Sequence, residues 1–268
     1  EGQYDNMNAF FRTNGYDEVF SQENYPADKV VNSFGVQDDF LYDYAIPVLN
    51  QRAATGEPFF ATLLSISNHP PYVIPPFFHP KTSEPETQIV EYADWALRKF
   101  FEEARKQPWF DNTIFVLEGD HGKLVGDAEC ELPESYNHIP LMIYSSRIHP
   151  EERNTFGGQV DIQPTILGLL NIDYLQNNFG VDLLKEERPC MFYTADNMIV
   201  GRNDTLLYLY NYETQQEFTY HIDNGKLKAV PMDDLFLPLK EYSFSMLQSA
   251  EFLVKHGKTV NSVPFTQQ

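Results

Sequence analysis

Apolar and polar positions follow two textures along this chain, one running to about residue 188 and another beyond it. In the first, residues 59–66, 112–117 and 141–144 are short, nearly continuous apolar runs rich in β-branched and aromatic side chains. Runs of that length predict strands buried on both faces of a sheet. Between them lie helical spacings. Phe40, Leu41, Tyr44, Ala45, Val48 and Leu49 share one side of a predicted helix over 38–52, which Pro47 should kink or shorten. Ser83, Glu84, Pro85 and Glu86 have capping-box spacing, and Ile89, Ala93, Leu97, Phe100 and Ala104 follow at helical intervals. This strand, helix, strand succession predicts a right-handed crossover. A further helix should begin at Asp161, before Gln163, Pro164 and Thr165.

Beyond residue 188 the segments are short and alternating, at 191–194, 205–210 and 217–221, with Asp223, Asn224 and Gly225 as a turn. A last helix is predicted over 239–256. The expected fold class is therefore α/β: a mostly parallel central sheet flanked by helices over 1–188, then a small antiparallel-sheet subdomain with a terminal helix over 189–268.

Composition narrows the chemistry. With 268 residues, 42% of them hydrophobic, the chain can bury a full-sized core. No stretch approaches the roughly 20 apolar residues of a membrane span, and no charged-then-apolar leader opens the chain, so what is written is expected to be soluble. Nineteen basic residues against 39 acidic ones give a net charge of −20, which repels phosphate backbones and argues against nucleic acid as a partner. An anionic substrate would then need a local positive charge, and a bound metal ion is the obvious source. Two cysteines, Cys130 and Cys190, are too few for a disulfide framework; they form one bridge or stand as two buried thiols.

The candidate chemistry sits at strand ends, where open α/β sheets place their ligands. The 112–117 run gives way to Glu118, Gly119, Asp120, His121 and Gly122. Adjacent strand residues point to opposite faces, so Asp120 and His121 can share one ion only if the strand has already ended, as the bracketing glycines favour. An oxygen and an imidazole nitrogen suit zinc or manganese. The 59–66 run ends in Ser67, Asn68, His69, Pro70, Pro71 and Tyr72, and His138 stands just before the third run. Each residue also has a plain alternative. Asp120 can cap a turn, His69 can close a proline-stiffened loop, and His138 can pack beside a strand.

Taken in order, Ser67–Tyr72, Tyr92-Ala93-Asp94, Asn112 to Gly122, Ile139–Tyr144 and Asp161–Thr165 resemble the sulfatase branch of the alkaline phosphatase superfamily. Within that branch, Tyr4-Asp5-Asn6-Met7, Gly15-Tyr16-Asp17 and the Ser-Asn-His-Pro turn resemble the lipoteichoic acid synthase and phosphoglycerol transferase group. The resemblance covers nearly the whole chain to about residue 185. It implies an alkaline phosphatase-like fold and a metal-dependent phosphoglycerol or phosphoryl-group transferase or hydrolase. It makes Asp120 and His121 ligands of a divalent ion: manganese or zinc, or calcium in a sulfatase-type site. It makes His69 a catalytic and substrate-contacting residue, with Asn68 and His138 as further substrate contacts. The implied substrate is an anionic phosphoryl- or sulfuryl-bearing lipid or glycan of the cell envelope. The implied place is extracytoplasmic, periplasmic or on the outer face of the cytoplasmic membrane, with anchoring by a segment upstream of these residues.

The departures matter too. The family's nucleophilic threonine and first acidic ligand belong to an upstream segment that has no counterpart here: Thr62 lies inside an apolar run and Thr113 begins one. Tyr4 stands where the group's glycerol-phosphate pocket has an arginine. The chain alone is therefore expected to be inactive, as the carboxyl-terminal part of a catalytic domain. Two further readings remain, a sulfatase acting on sulfuric esters and a catalytically silent binding or scaffold module.

Overall fold

A computed structural model describes residues 2–124 and 126–259. Two compact units emerge, Glu1–Phe115 with Ile143–Ile148, and Val116–Met142 with His149–Gln268.

In the first unit, helices α1 (Met7–Thr13), α2 (Asp38–Ala53) and α3 (Pro85–Ala104) carry the regular structure. α2 and α3 pack together around Leu49, Phe100, Ala104, Trp109 and Phe110, with Tyr42, Leu63 and Phe115 at the margin. The buried stripe of α3 is Ile89, Tyr92, Ala96, Phe100 and Ala104, a 3–4 spacing that keeps one face inward. It is turned slightly from the predicted stripe, because Tyr92 and Ala96 go under while Ala93 and Leu97 stay half-buried. α3 starts at Pro85 with Glu84 at its N-cap and no side-chain cap, so the predicted capping box does not form. α2 keeps its 16 residues with Pro47 inside. Trp109 donates to Asn50 Oδ1 at 2.6 Å, which satisfies the indole N–H beside the core.

The predicted strand over 59–66 is not one. The segment carries no strand hydrogen bonds, and Phe60 is 74% exposed. A ladder needs a neighbour offering N–H and C=O groups at the right spacing, and none of the described residues supplies one. The other two runs do become strands, β1 (Phe115–Glu118) and β2 (Leu141–Tyr144), which form a two-stranded sheet. They are half-buried or exposed rather than covered on both faces.

In the second unit, a five-stranded antiparallel meander runs β3 (Met191–Ala195), β4 (Met198–Arg202), β5 (Leu206–Asn211), β6 (Gln216–Asp223) and β7 (Lys226–Ala229). Period-two alternation sorts its faces. Met198, Val200, Leu207, Leu209 and Tyr220 form one core with Leu132. Tyr208 joins Phe236 and Leu239 in another, beside helix α5 (Leu237–Lys255). β6 and β7 join through Asn224 and Gly225 at φ 49° and 73°, the predicted turn. β4 was not predicted; its hairpin turns on Asp196 and Asn197, both left-handed without a glycine to mark them. Gly201 admits α5 closely, since a Cβ there would lie 2.5 Å from Ser243 Oγ. Helix α4 (Ile162–Leu169) follows Asp161, which does not cap it through its side chain. Both cysteines are free and half-buried. Burial pushes the Cys130 thiol up to about 11, so it is an inert group whose Sγ donates to Leu132 O at 2.9 Å.

Candidate active site

The residues singled out by sequence fall in both units. Asn68 and His69 belong to the first; Asp120, His121 and His138 belong to the second.

β1 stops at Glu118, so Asp120 and His121 lie beyond the strand, on a turn. The carboxylate folds back locally, with Asp120 Oδ1 accepting the His121 amide at 2.9 Å. Its other oxygen, Oδ2, lies 3.7 Å from His121 Nε2. Two ligands about 2.1 Å from one tetrahedral ion sit roughly 3.4 Å apart, so this pair is close to a shared-ion spacing. His121 Nδ1 is 2.8 Å from Gly122 O. That contact assigns the proton to Nδ1 and leaves the Nε2 lone pair free. Both side chains are about 70% exposed, at 73% and 68%, which gives an ion access from solvent. Beside them burial, then the charge of Asp120, raises the Glu118 pKa.

Gly122 is required by close approach. A Cβ there would lie 1.9 Å from Ser135 O, and the Gly122 amide donates to Tyr136 O at 2.8 Å. Gly119 rests on Ile139, the neighbour of His138 in sequence. His138 is exposed, its amide bound to Glu134 O at 2.8 Å. The segment beneath the turn is fastened in turn to the antiparallel sheet. Leu132 enters that sheet's core, Glu131 accepts from Tyr220, and Glu134 pairs with Arg202. The C-terminal sheet is thus the platform for the Asp-His turn.

Sequence reasoning missed Gln159. Its amide donates to Gly119 O at 3.2 Å and Asp120 O at 2.9 Å, holding the turn's backbone from the far side. Two residues on, Asp161 is fully buried, binding the amides of Gly158 and Val181 at 2.8 Å each and pairing with Arg188. The sequence signal for this support was Asp161 itself, marked as a helix start and as part of the Asp161–Thr165 motif, with no local pattern pointing to Gln159 or Arg188.

In the first unit, His69 caps the 59–66 segment. Its amide donates to Ile66 O at 3.0 Å, and its Nδ1 lies 2.7 Å from Pro70 O, again leaving Nε2 free. The Phe34 ring lies against the imidazole, centroids 4.0 Å apart. Thr62, set aside as a nucleophile, is bonded to Tyr16 Oη at 2.6 Å.

As a metal centre, Asp120 and His121 fit a divalent ion in donor chemistry and spacing, and supply two of the three or four ligands such an ion takes. Among the described residues no cluster of three or more potential ligands occurs.

The sulfatase family model matches residues 1–172. Lipoteichoic acid synthase 1 of Bacillus subtilis is 26% identical over 247 residues, 84% of this chain and 37% of that protein. Lipoteichoic acid synthase of Staphylococcus aureus is 24% identical over 213 residues, 68% of this chain and 31% of that protein. The chain therefore spans about a third of the length of these curated relatives. Among solved structures, a protein of the alkaline phosphatase superfamily from Vibrio parahaemolyticus superposes with a TM-score of 0.82 at 27% identity, over 94% of this chain and 63% of the other. A phosphonate monoester hydrolase from Silicibacter pomeroyi shares the fold, with a TM-score of 0.57 at 17% identity over 91% of this chain and 68% of the other. The architecture is accordingly that of the alkaline phosphatase superfamily.

Proposed function

Because this chain belongs to the sulfatase family, we propose that the protein carrying it is a metal-dependent enzyme. In this reading it transfers or hydrolyses a phosphoryl-linked group, phosphoglycerol above all, on an anionic lipid or glycan of the cell envelope. The observation that carries the reading is the paired donor set, Asp120 Oδ2 and His121 Nε2 at 3.7 Å on a turn beyond a strand. Similarity to two lipoteichoic acid synthases supports the substrate class.

The pair would hold manganese or zinc, which polarises a phosphoryl oxygen and neutralises the charge that develops on it. That local positive charge offsets a net charge of −20, which would otherwise repel the substrate. His69, its Nδ1 engaged by Pro70 O, presents Nε2 to contact the phosphoryl group and to take up or return a proton at a reacting oxygen. Asn68 and His138 serve as further substrate donors. The nucleophile and the remaining metal ligands are supplied by residues outside these 268. Action on envelope substrates places the enzyme on the extracytoplasmic side, anchored through a segment upstream of this chain.

The test is made on the complete protein, measuring bound metal together with turnover of a phosphodiester and an aryl sulfate. Asp120→Asn and His121→Ala should each reduce metal content and phosphodiester turnover by more than the roughly 10–100-fold that loss of an outer-shell partner costs. Unchanged metal and unchanged turnover in both variants overturn the reading. Sulfate turnover above phosphodiester turnover, with calcium bound, would replace it with sulfuric-ester hydrolysis.

A further inference from the structure

The loop carrying Asn68 and His69 is held at both ends by two adjacent residues that none of the motifs singled out. Asp38 is a carboxylate only 1% exposed, and among the described residues it makes no ion pair. Burying such a group without a cationic partner is unfavourable unless its oxygens are well used. Here Oδ1 accepts two consecutive backbone amides, Ile66 at 3.1 Å and Ser67 at 3.0 Å, where the extended segment turns. The amide of Asp38 donates in return to Ser67 Oγ at 3.1 Å. Ser67 Oγ donates to Gln37 Oε1 at 2.9 Å, and Gln37 Nε2 reaches across the loop to Val73 O at 2.6 Å.

Residues 66, 67 and 73 are thus fixed by a pair at the start of α2, while Asn68 and His69 between them stay exposed. The pair has a firm seat of its own. Tyr92 Oη on α3 donates to Asp39 Oδ1 at 2.5 Å, tying the first turn of α2 to the first unit's buried helix. The same stretch of chain also supplies Phe34, whose ring lies on the imidazole. One segment, 34–39, therefore sets the backbone on either side of His69 and the face of its ring.

We propose that Gln37 and Asp38 are positioning residues for His69. They act through the 66–73 loop: with Oδ1 of Asp38 and the Gln37 amide in place, the His69 amide reaches Ile66 O and Nδ1 reaches Pro70 O, so Nε2 points one way in one tautomer. Asp38 touches no substrate in this account. Catalytic groups must be held within about 0.5 Å of their productive place, and a misplacement of about 1 Å can lower the rate roughly 10²-fold. The proposal rests on the reading of His69 as a catalytic residue, and its test separates the two.

The first arm uses the 268-residue chain and the ring-nitrogen chemical shifts of His69. Wild type should show one fixed tautomer with Nδ1 protonated. Asp38→Ala and Gln37→Leu should give the averaged shifts of a free imidazole, while Asp38→Asn, which keeps an Oδ1 acceptor, should retain the wild-type pattern. Ser67→Ala, a milder cut in the same network, should also move the shifts, and it decides the matter if Asp38→Ala does not fold. Wild-type shifts in both Ser67→Ala and Gln37→Leu overturn the proposal. The second arm uses the complete protein. Asp38→Ala should lower kcat about 10²-fold with KM near wild type, and Asp38→Asn should restore kcat to within about threefold. If His69→Ala lowers turnover but Asp38→Ala does not, positioning is wrong and the catalytic reading stands. If His69→Ala leaves turnover unchanged, the catalytic reading falls while the first arm still answers for the loop.

Discussion

Removing the Arg188 guanidinium should be among the most damaging single changes in the second unit. Asp161 is fully buried and Arg188 is 9% exposed, with contacts of 3.0 and 2.8 Å from Nε and 2.5 Å from Nη2 to the carboxylate. The same carboxylate also binds the Gly158 and Val181 amides. Arg188→Met would leave a buried charge with two backbone donors and no cation, a loss of about 3–5 kcal/mol. For a unit of this size that corresponds to a fall in Tm of roughly 6–20 °C, at about 2–4 °C per kcal/mol. Chemical denaturation of wild type, Arg188→Met, Asp161→Ala and the double variant measures it. The two losses should overlap, with a coupling of about 2 kcal/mol, because each single change strands the other's charge. The damage should also reach the site. Gln159, in the same turn as Asp161, holds Gly119 O and Asp120 O, so hydrogen exchange at His121 and Gly122 should quicken in Arg188→Met. A loss under about 1 kcal/mol, with the singles additive, would refute the argument.

Gly122→Ala drives a Cβ to 1.9 Å from the Ser135 carbonyl oxygen, and backbone cannot rotate aside as a side chain can. The expected loss is about 1–3 kcal/mol, read as a lower Tm and as lost exchange protection at position 122; an unchanged Tm would count against the close approach. Asp38 supplies a prediction in pH. Burial raises its pKa above the ordinary carboxylate value of 3.8, against the opposing hydrogen bonds of Ser67 and Ile66. The neutral form therefore favours the folded state, a contribution fully present below about 3.8 and lost as pH rises through the raised value. Asp38→Asn has no such term. Its stability relative to wild type should climb with pH across that window and then level off, and a flat difference from pH 3 to 7 would show that Asp38 titrates normally.

The family was legible in a series of short motifs taken in order along the chain, and the turn that carries Asp120 and His121 was legible because it is local. A short apolar run, a polar cluster and two glycines suffice to end a strand and turn the backbone, and β1 ends at Glu118 as that pattern requires. The same holds for the α3 stripe, the Asn224-Gly225 hairpin and the terminal helix, whose periodicities are written residue by residue. Pairing was not legible. Residues 59–66 have a strand's composition, yet a ladder is made by the neighbour as much as by the segment. β4 was hidden because its turn takes left-handed Asp196 and Asn197 in place of glycine.

The sequence by itself located the residues of the proposed site: Asn68, His69, Asp120, His121 and His138 are polar groups set at the ends of apolar runs. Only the tertiary structure decided what holds them. Gln159, Asp161 and Arg188 lie 39 to 68 residues from Asp120 in number, and Gln37 and Asp38 lie about 30 from Ser67. Buried charges and amides must find partners wherever the fold brings them, and no local periodicity encodes that choice.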